Sequence, residues 1–364
     1  MTSLRRGPAM APGLRVGIRC DAGPRTGVGH LIRCVALAEE LVLRGAEVVF
    51  LGSLDGPPWV AGQLHTRKLP LVPARPGPHR LTRQALRMRL DAMVIDSYAT
   101  DPACAASLRR AGVTVLAIVD GDTRGQQADL YVDQNLGAEE AAHDLPAGGI
   151  RLAGVQYVML RDSVRALRPP TPHRGDPALQ AHARREITRG CARVVCFFGG
   201  TDAAGAAPAV VELAAATGAP FAATVVAAHA ATAKALAALP LAPGQCVTPI
   251  PPTDRLPALA AGSDLVVSAA GTSTWELLCL GVPTALIQVA ANQRAGYDAT
   301  VSRGLTAGLG SVATPAPDAV PVLRRLLTDP AARAAPAARG HGLIDGRGRE
   351  RVADALLGSC REQD

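Results

Sequence analysis

Short aliphatic runs alternate along the whole chain with longer segments whose apolar residues recur at helical spacing. This alternation limits the fold more than any other feature. It is the pattern of a parallel sheet covered by helices on both faces. In the first half, strands are expected at 14–19, 47–51, 92–96, 114–120 and 129–133. Between the first two, His30 to Gly45 reads as a helix, with Leu31, Val35, Leu37, Ala38, Leu41 and Leu43 at helical spacing and Gly45 as its C-terminal cap. The second half repeats the pattern, with strands expected at 193–198, 222–226, 246–249, 265–269 and 284–289 and helices at 206–217, 231–239, 272–280, 293–303 and 318–328. A length of 364 residues suits two domains. The expected division is a flexible extension at 1–13, a Rossmann-like domain at 14–165, a Pro- and Arg-rich linker at 166–180, and a second Rossmann-like domain at 181–364. Ligands of such sheets bind beyond the C-terminal strand ends, so two of them facing each other would form a cleft.

Composition removes several function classes. Apolar residues make up 48% of the chain, enough to build buried cores. Aromatic residues make up only 3%, so the cores are aliphatic, and neither a base-stacking platform nor an aromatic-lined carbohydrate module fits. The net charge of +7 is carried by arginine, lysine occurring only at Lys68 and Lys234. Basic residues thicken at Arg5–Arg6, between Arg80 and Arg89, and at Arg184–Arg185, without a block of five like charges. No nucleic-acid partner is expected. The eight cysteines form no CxxC pair and no zinc-spaced cluster, and most lie within apolar runs as small buried hydrophobes of a reducing compartment. No secretory signal pattern and no membrane-spanning run is visible, and a cytoplasmic location is expected.

Four segments carry residue types suited to chemistry. In "RCDAGPRTGVGHLIRC", glycines at 27 and 29 lead from a strand into a helix start, where free N–H groups face a ligand and His30 can serve as a general base. In "VIDSYATD", a buried strand ends in Asp96, Ser97 and Tyr98. In "FFGGTD", Gly199 and Gly200 precede Thr201 and Asp202; a tight turn into a helix is the alternative to a ligand contact. In "SAAGTSTWELLCLGVPTALIQVAANQ", Gly271, Thr272, Ser273 and Thr274 open a helix suited to a diphosphate, Glu276 can accept from ribose hydroxyls, and Asn292–Gln293 can face a sugar. A capped helix in a sheet protein would need no ligand, but the length and combination of the last segment favour a ligand site.

Taken together, these segments resemble the two-domain GT-B nucleotide-sugar enzymes. The nearest likeness is to the hydrolases of pseudaminic acid biosynthesis, which remove UDP from UDP-2,4-diacetamido-2,4,6-trideoxy-β-L-altropyranose. Spore-coat polysaccharide proteins and, more distantly, the N-acetylglucosaminyltransferase that makes lipid II are similar. The resemblance runs from Arg19 to Gly304. It is carried by Asp21-Ala22 with Gly27-Val28-Gly29-His30 and Arg33; Asp96-Ser97-Tyr98; Asp133-Gln134-Asn135; Leu160-Arg161; Phe198 to Asp202; Ser268 to Glu276; Gly281-Val282-Pro283; and Asn292-Gln293. It implies an α/β fold of GT-B type with a cleft between two doubly wound domains, and catalytic roles for His30, Tyr98 and Asn292. It further implies substrate contacts from Gly27, Gly29, Arg33, Asp96, Gly199, Gly200, Thr201, Asp202, Gly271, Thr272, Ser273, Thr274, Glu276 and Gln293. No metal and no cofactor are expected, because helix N–H groups can stabilise the leaving diphosphate. The implied partner is a UDP-linked sugar, with a sugar or natural-product acceptor if a transferase shares the scaffold. Two positions depart from the family pattern: Ser97 replaces a His, and Gly121 replaces the second acid of an Asp-Asp turn.

Overall fold

The computed structural model describes residues 10, 13–23, 26–141, 145–146, 148–170, 190–200, 202 and 204–361. The extension at 1–13 lies almost wholly outside the described residues, as does most of the linker at 166–180. The chain divides into two units: Met1–Asp162 with Gly346–Asp364, and Ser163–Asp345.

Among the described residues, the first unit holds a sheet of seven parallel strands: β1 (Arg15–Cys20), β2 (Glu47–Leu51), β3 (Leu71–Val72), β4 (Ala92–Asp96), β5 (Thr114–Ile118), β6 (Leu130–Asp133) and β7 (Ile150–Ala153). Their spatial order is β3-β2-β1-β4-β5-β6-β7. The second unit has six parallel strands: β8 (Ala192–Phe197), β9 (Phe221–Val226), β10 (Gln245–Ile250), β11 (Leu265–Ala269), β12 (Thr284–Gln288) and β13 (Ala307–Ser311). They are ordered β10-β9-β8-β11-β12-β13. Each sheet thus reverses direction once, between β1 and β4 in the first and between β8 and β11 in the second. The central strands follow the aliphatic runs closely because both of their faces are buried. Three edge strands give no such signal: β3 has two residues, β7 begins on an exposed Ile150, and β13 contains two glycines.

The helix Gly29–Leu43 stops where Gly45 takes a φ of 92°, a left-handed conformation that closes the helix with backbone bonds to Val42. It buries Leu31, Val35, Leu37, Ala38 and Leu41 against β1 and its neighbours.

One boundary is corrected. The C-terminal segment, expected in the second domain, belongs from Gly346 onward to the first unit. The helix Gly348–Arg361 buries Val352, Ala353, Leu356, Leu357 and Cys360 in the same core as the helix Gly29–Leu43. Gly348 permits this approach, since a Cβ there would fall 2.2 Å from the Val158 carbonyl oxygen. Arg349, only 1% exposed, then reaches Glu39 at 2.8 Å, Glu40 at 3.1 Å and Asp162 at 2.5 Å. Carboxylates already buried on one helix thus select a cation from the other end of the chain.

Candidate active site

β1 and β4 are neighbours where the first sheet reverses, and their last residues, Cys20 and Asp96, are register partners. Ligands of doubly wound sheets bind outside the strand ends at this point. The chain leaving β1 folds back through Gly23 and Gly27, which exchange backbone bonds of 3.3 and 2.7 Å. Gly27 has a φ of 71°, and the space its side chain would fill is open. The helix then starts at Gly29, placing His30 in its first turn and Arg33 three residues on, on the same side.

Both side chains turn to Asp96, which is 1% exposed. His30 Nδ1 lies 2.5 Å from Asp96 Oδ1. Arg33 donates from Nε to Asp96 Oδ2 at 2.7 Å and from Nη2 to Oδ1 at 2.8 Å, a bidentate pair. The Cys34 thiol adds a bond of 3.4 Å to Oδ2. Arg33 also reaches Asp120, two residues beyond the end of β5, at 3.0 Å from Nη1 and 3.1 Å from Nη2. Asp120 in turn accepts from the Tyr98 hydroxyl at 2.5 Å and from Asn135 Nδ2 at 3.1 Å. The Tyr98 and His30 rings meet edge to face, with centroids 4.8 Å apart, and the Arg124 guanidinium lies 4.3 Å from the Tyr98 ring centre.

The electrostatics follow from these contacts. Burial opposes ionisation of Asp96, but the Arg33 charge and then His30 outweigh it and hold the carboxyl at about 2. Asp120 is likewise held well below the usual carboxylate range, Arg33, Tyr98 and Asn135 together overcoming its burial. Burial and the Asp120 charge push the Tyr98 phenol well above its usual range, so it stays protonated and acts as a donor. Because Asp96 is ionised, the proton of neutral His30 is assigned to Nδ1, facing the carboxylate. Nε2 then carries the free lone pair.

These depressed carboxyls imply an acid limb in stability. A folded pKa near 2 against the ordinary 3.8 gives a contribution fully present above pH 3.8 and lost as pH falls through 2. The expected loss from Asp96 alone is about 2 kcal/mol by about pH 2, read by urea unfolding of the first unit across the acid range. An equally deep limb in an Asp96→Asn variant would assign the loss to other carboxyls.

The expected residues fall into clusters. His30, Arg33, Asp96 and Tyr98 come together in the first unit, with Gly27 and Gly29 in the loop that aims His30. Ser97, in the position of the family's His, is buried and lies 3.4 Å from Asp21. In the second unit, β8 and β11 meet at the reversal, with Phe197 and Ser268 in register, so the loops after both strands open at one place. Gly199 has a φ of 78° with open space beside it, and Gly200 follows in the turn. Asp202 is buried, and its carboxylate accepts from the backbone of Ala206 at 2.8 Å and Ala207 at 3.3 Å, so it caps the next helix. Thr201 lies outside the described residues.

The helix Ser273–Leu280 begins at Thr272 without a side-chain cap; the Gly271, Thr274 and Trp275 N–H groups are taken by the Ala269, Gly271 and Thr272 carbonyls, and Glu276 lies in the first turn. Thr274 is buried, and its hydroxyl oxygen has no partner among the described residues. Gln293 accepts from the Val289 N–H at 2.9 Å, and a Cβ on Gly271 would lie 3.8 Å from its Nε2. Asn292 is exposed in the turn Ala291–Gln293.

Asp120 and Asn135 were not among the expected site residues. Their signal was present in the chain, because the neighbouring strands β4, β5 and β6 end at or just before Asp96, Asp120 and Asp133. Of the aromatic residues within these segments, Phe197, Phe198 and Trp275 are core residues, whereas Tyr98 is 50% exposed. Among the described residues, no group of three or more His, Cys, Asp or Glu could hold a metal ion, and no helix is long and apolar enough to cross a membrane.

No protein-family model and no curated protein matches the chain. Solved structures do. The MurG protein of Acinetobacter baumannii aligns over 95% of this chain and 99% of its own, with 16% identity and a TM-score of 0.62. The glycosyltransferase of kitacinnamycin aligns over 96% and 99%, with 17% identity and a TM-score of 0.63. The UDP-GlcNAc 2-epimerase of Neisseria meningitidis, solved with UDP-GlcNAc bound, aligns over 95% and 100%, with 13% identity and a TM-score of 0.60. At such identities the likeness is one of fold, and the fold is of the GT-B type.

Proposed function

We propose that the chain is a nucleotide-sugar hydrolase, releasing UDP from a UDP-linked amino-deoxy sugar by attack of water at the anomeric carbon. The observation that carries this reading is the His30–Asp96–Arg33 constellation at the reversal of the first sheet. An ionised carboxylate fixes the imidazole through Nδ1, leaving Nε2 to take a proton from the attacking water. Tyr98 acts as a protonated donor toward the sugar, held ready on Asp120. The first unit supplies the acid–base chemistry and the second the nucleotide site. There the helix start at Gly271–Thr274, with its positive dipole end and hydroxyls, receives the diphosphate and stabilises charge as UDP departs, so no metal is needed. Glu276 takes the ribose hydroxyls. Gly199, Gly200 and Thr201 line the same strand ends, Asp202 holds their turn, and Asn292 and Gln293 face the sugar. The expected cytoplasmic location gives access to sugar nucleotides.

A second reading, a glycosyltransferase with an alcohol as nucleophile, is favoured by the likeness in fold to the glycosyltransferase of kitacinnamycin. The two readings separate in one assay. A panel of UDP-sugars is incubated with the protein alone, and UDP and free sugar are followed. Equal release of both without acceptor is the expected result. UDP release only after an acceptor alcohol is added would replace hydrolysis by transfer. Tight UDP binding with no turnover on any donor would remove both.

A further inference from the structure

The basic residues that thicken between Arg80 and Arg89 take no part in either cluster. Residues 56–90 contain no Asp or Glu, yet hold Arg67, Lys68, Arg75, Arg80, Arg83, Arg87 and Arg89. With these seven set aside, the rest of the chain carries 31 basic against 31 acidic residues, so the formal charge of +7 resides in this one stretch. Arg67 is neutralised by Glu39 at 2.6 Å. Among the described residues, the other six have no acidic partner. The helix Pro78–Arg87 explains how several of them are displayed together. It buries Leu81, Thr82 and Ala85, while Arg80, Arg83 and Arg87, at i, i+3 and i+7, form a stripe on the opposite, exposed face. Exposed Arg75 and Arg89 flank the two ends in sequence, and two leucines of the same stretch are exposed, Leu86 at 51% and Leu71 at 40%.

We propose that this arginine face is a docking surface for the anionic headgroups of a lipid bilayer. A single-signed patch with no internal counterions attracts a polyanionic surface, and exposed leucines among guanidiniums suit the headgroup layer. A nucleic acid fits less well, because residues 60–90 hold no Phe, Tyr or Trp on which a base could stack. The apolar side of the helix is committed to its own unit, so attachment is by charge and not by insertion. It is therefore reversible and sensitive to salt.

The test is sedimentation of the full chain with vesicles of phosphatidylcholine alone or mixed with phosphatidylglycerol. Binding is expected only to the mixed vesicles and is expected to fade as salt is raised. Each arginine at the surface contributes about fivefold to partitioning, so a variant carrying Arg80→Gln, Arg83→Gln and Arg87→Gln together should bind about a hundredfold more weakly. These side chains are exposed, and matched thermal unfolding would confirm the fold of the variant. If the triple variant fails to fold, the three single changes carry the test, each expected to cost about fivefold. Equal binding to both vesicle types, or mixed-vesicle binding unaffected by the substitutions, would overturn the proposal. So would arginine-dependent binding of duplex DNA without vesicle binding, which would assign the face to nucleic acid.

Discussion

A His30→Ala variant is expected to release UDP about a hundred- to ten-thousandfold more slowly than the parent chain, with the loss in kcat and little change in KM. Alanine at this position removes the imidazole Nε2, the lone pair of the cluster that faces no partner within it. Asp96 and Asp120 are ionised but are covered by Arg33, and Tyr98 keeps its proton, so neither the carboxylates nor the phenol can take over as base. The fold should tolerate the change. The imidazole is 13% exposed and gives up one hydrogen bond to Asp96, which retains the bidentate Arg33 and the Cys34 thiol. Steady-state UDP release, measured beside thermal unfolding, checks both halves. An undiminished rate in a folded variant would remove His30 from the chemistry and return the glycine loop to a purely structural role.

Much of the architecture was legible because the strands that build it are buried on both faces. β2, β4 and β11 fall on the expected residues, since a parallel strand sandwiched between helices cannot hide its aliphatic run. The edge strand β13 and the C-terminal helix were not legible for a different reason. The pattern Ala-Gly-Leu-Gly-Ser has little apolar content, and the return of Gly348–Arg361 to the first core depends on a contact between Arg349 and carboxylates some three hundred residues earlier. No local periodicity encodes such a pairing.

The candidate site shows the same division. His30, Arg33, Asp96 and Tyr98 stand out from local context, as polar residues where an aliphatic strand or helix meets a loop. Asp120 does not, because its importance lies in bridging Arg33, Tyr98 and Asn135 across three strand ends. The aliphatic core makes the exposed Tyr98 conspicuous, while Phe198 and Trp275, equally rare in this composition, are spent on packing.

The second large effect is expected from Asp96→Asn, which changes one atom and should cost about a thousandfold or more in kcat. Asp96 receives four donor groups: the imidazole N–H, two guanidinium N–H groups and a thiol. An amide has a single oxygen to offer them. If its NH2 group faces His30, Nδ1 must become the acceptor and the ring proton moves to Nε2, which removes the lone pair that would receive the proton of water. If the NH2 takes the Oδ2 side instead, it opposes the Arg33 Nε–H in a buried place, and the guanidinium keeps only its Nη2 bond to the amide oxygen beside Asp120. Either arrangement lowers stability, by about 2–4 kcal/mol, since a buried cation loses half of its compensation. Activity and folding can be separated by a cycle. In a His30→Ala background the Asp96→Asn change should cost little further activity, because the group it orients is already gone, while its stability cost should persist. UDP release by the parent, the two single variants and the double variant decides the matter. Losses that multiply would mean that Asp96 acts on the reaction independently of His30, and the pair would cease to be a single acid–base unit.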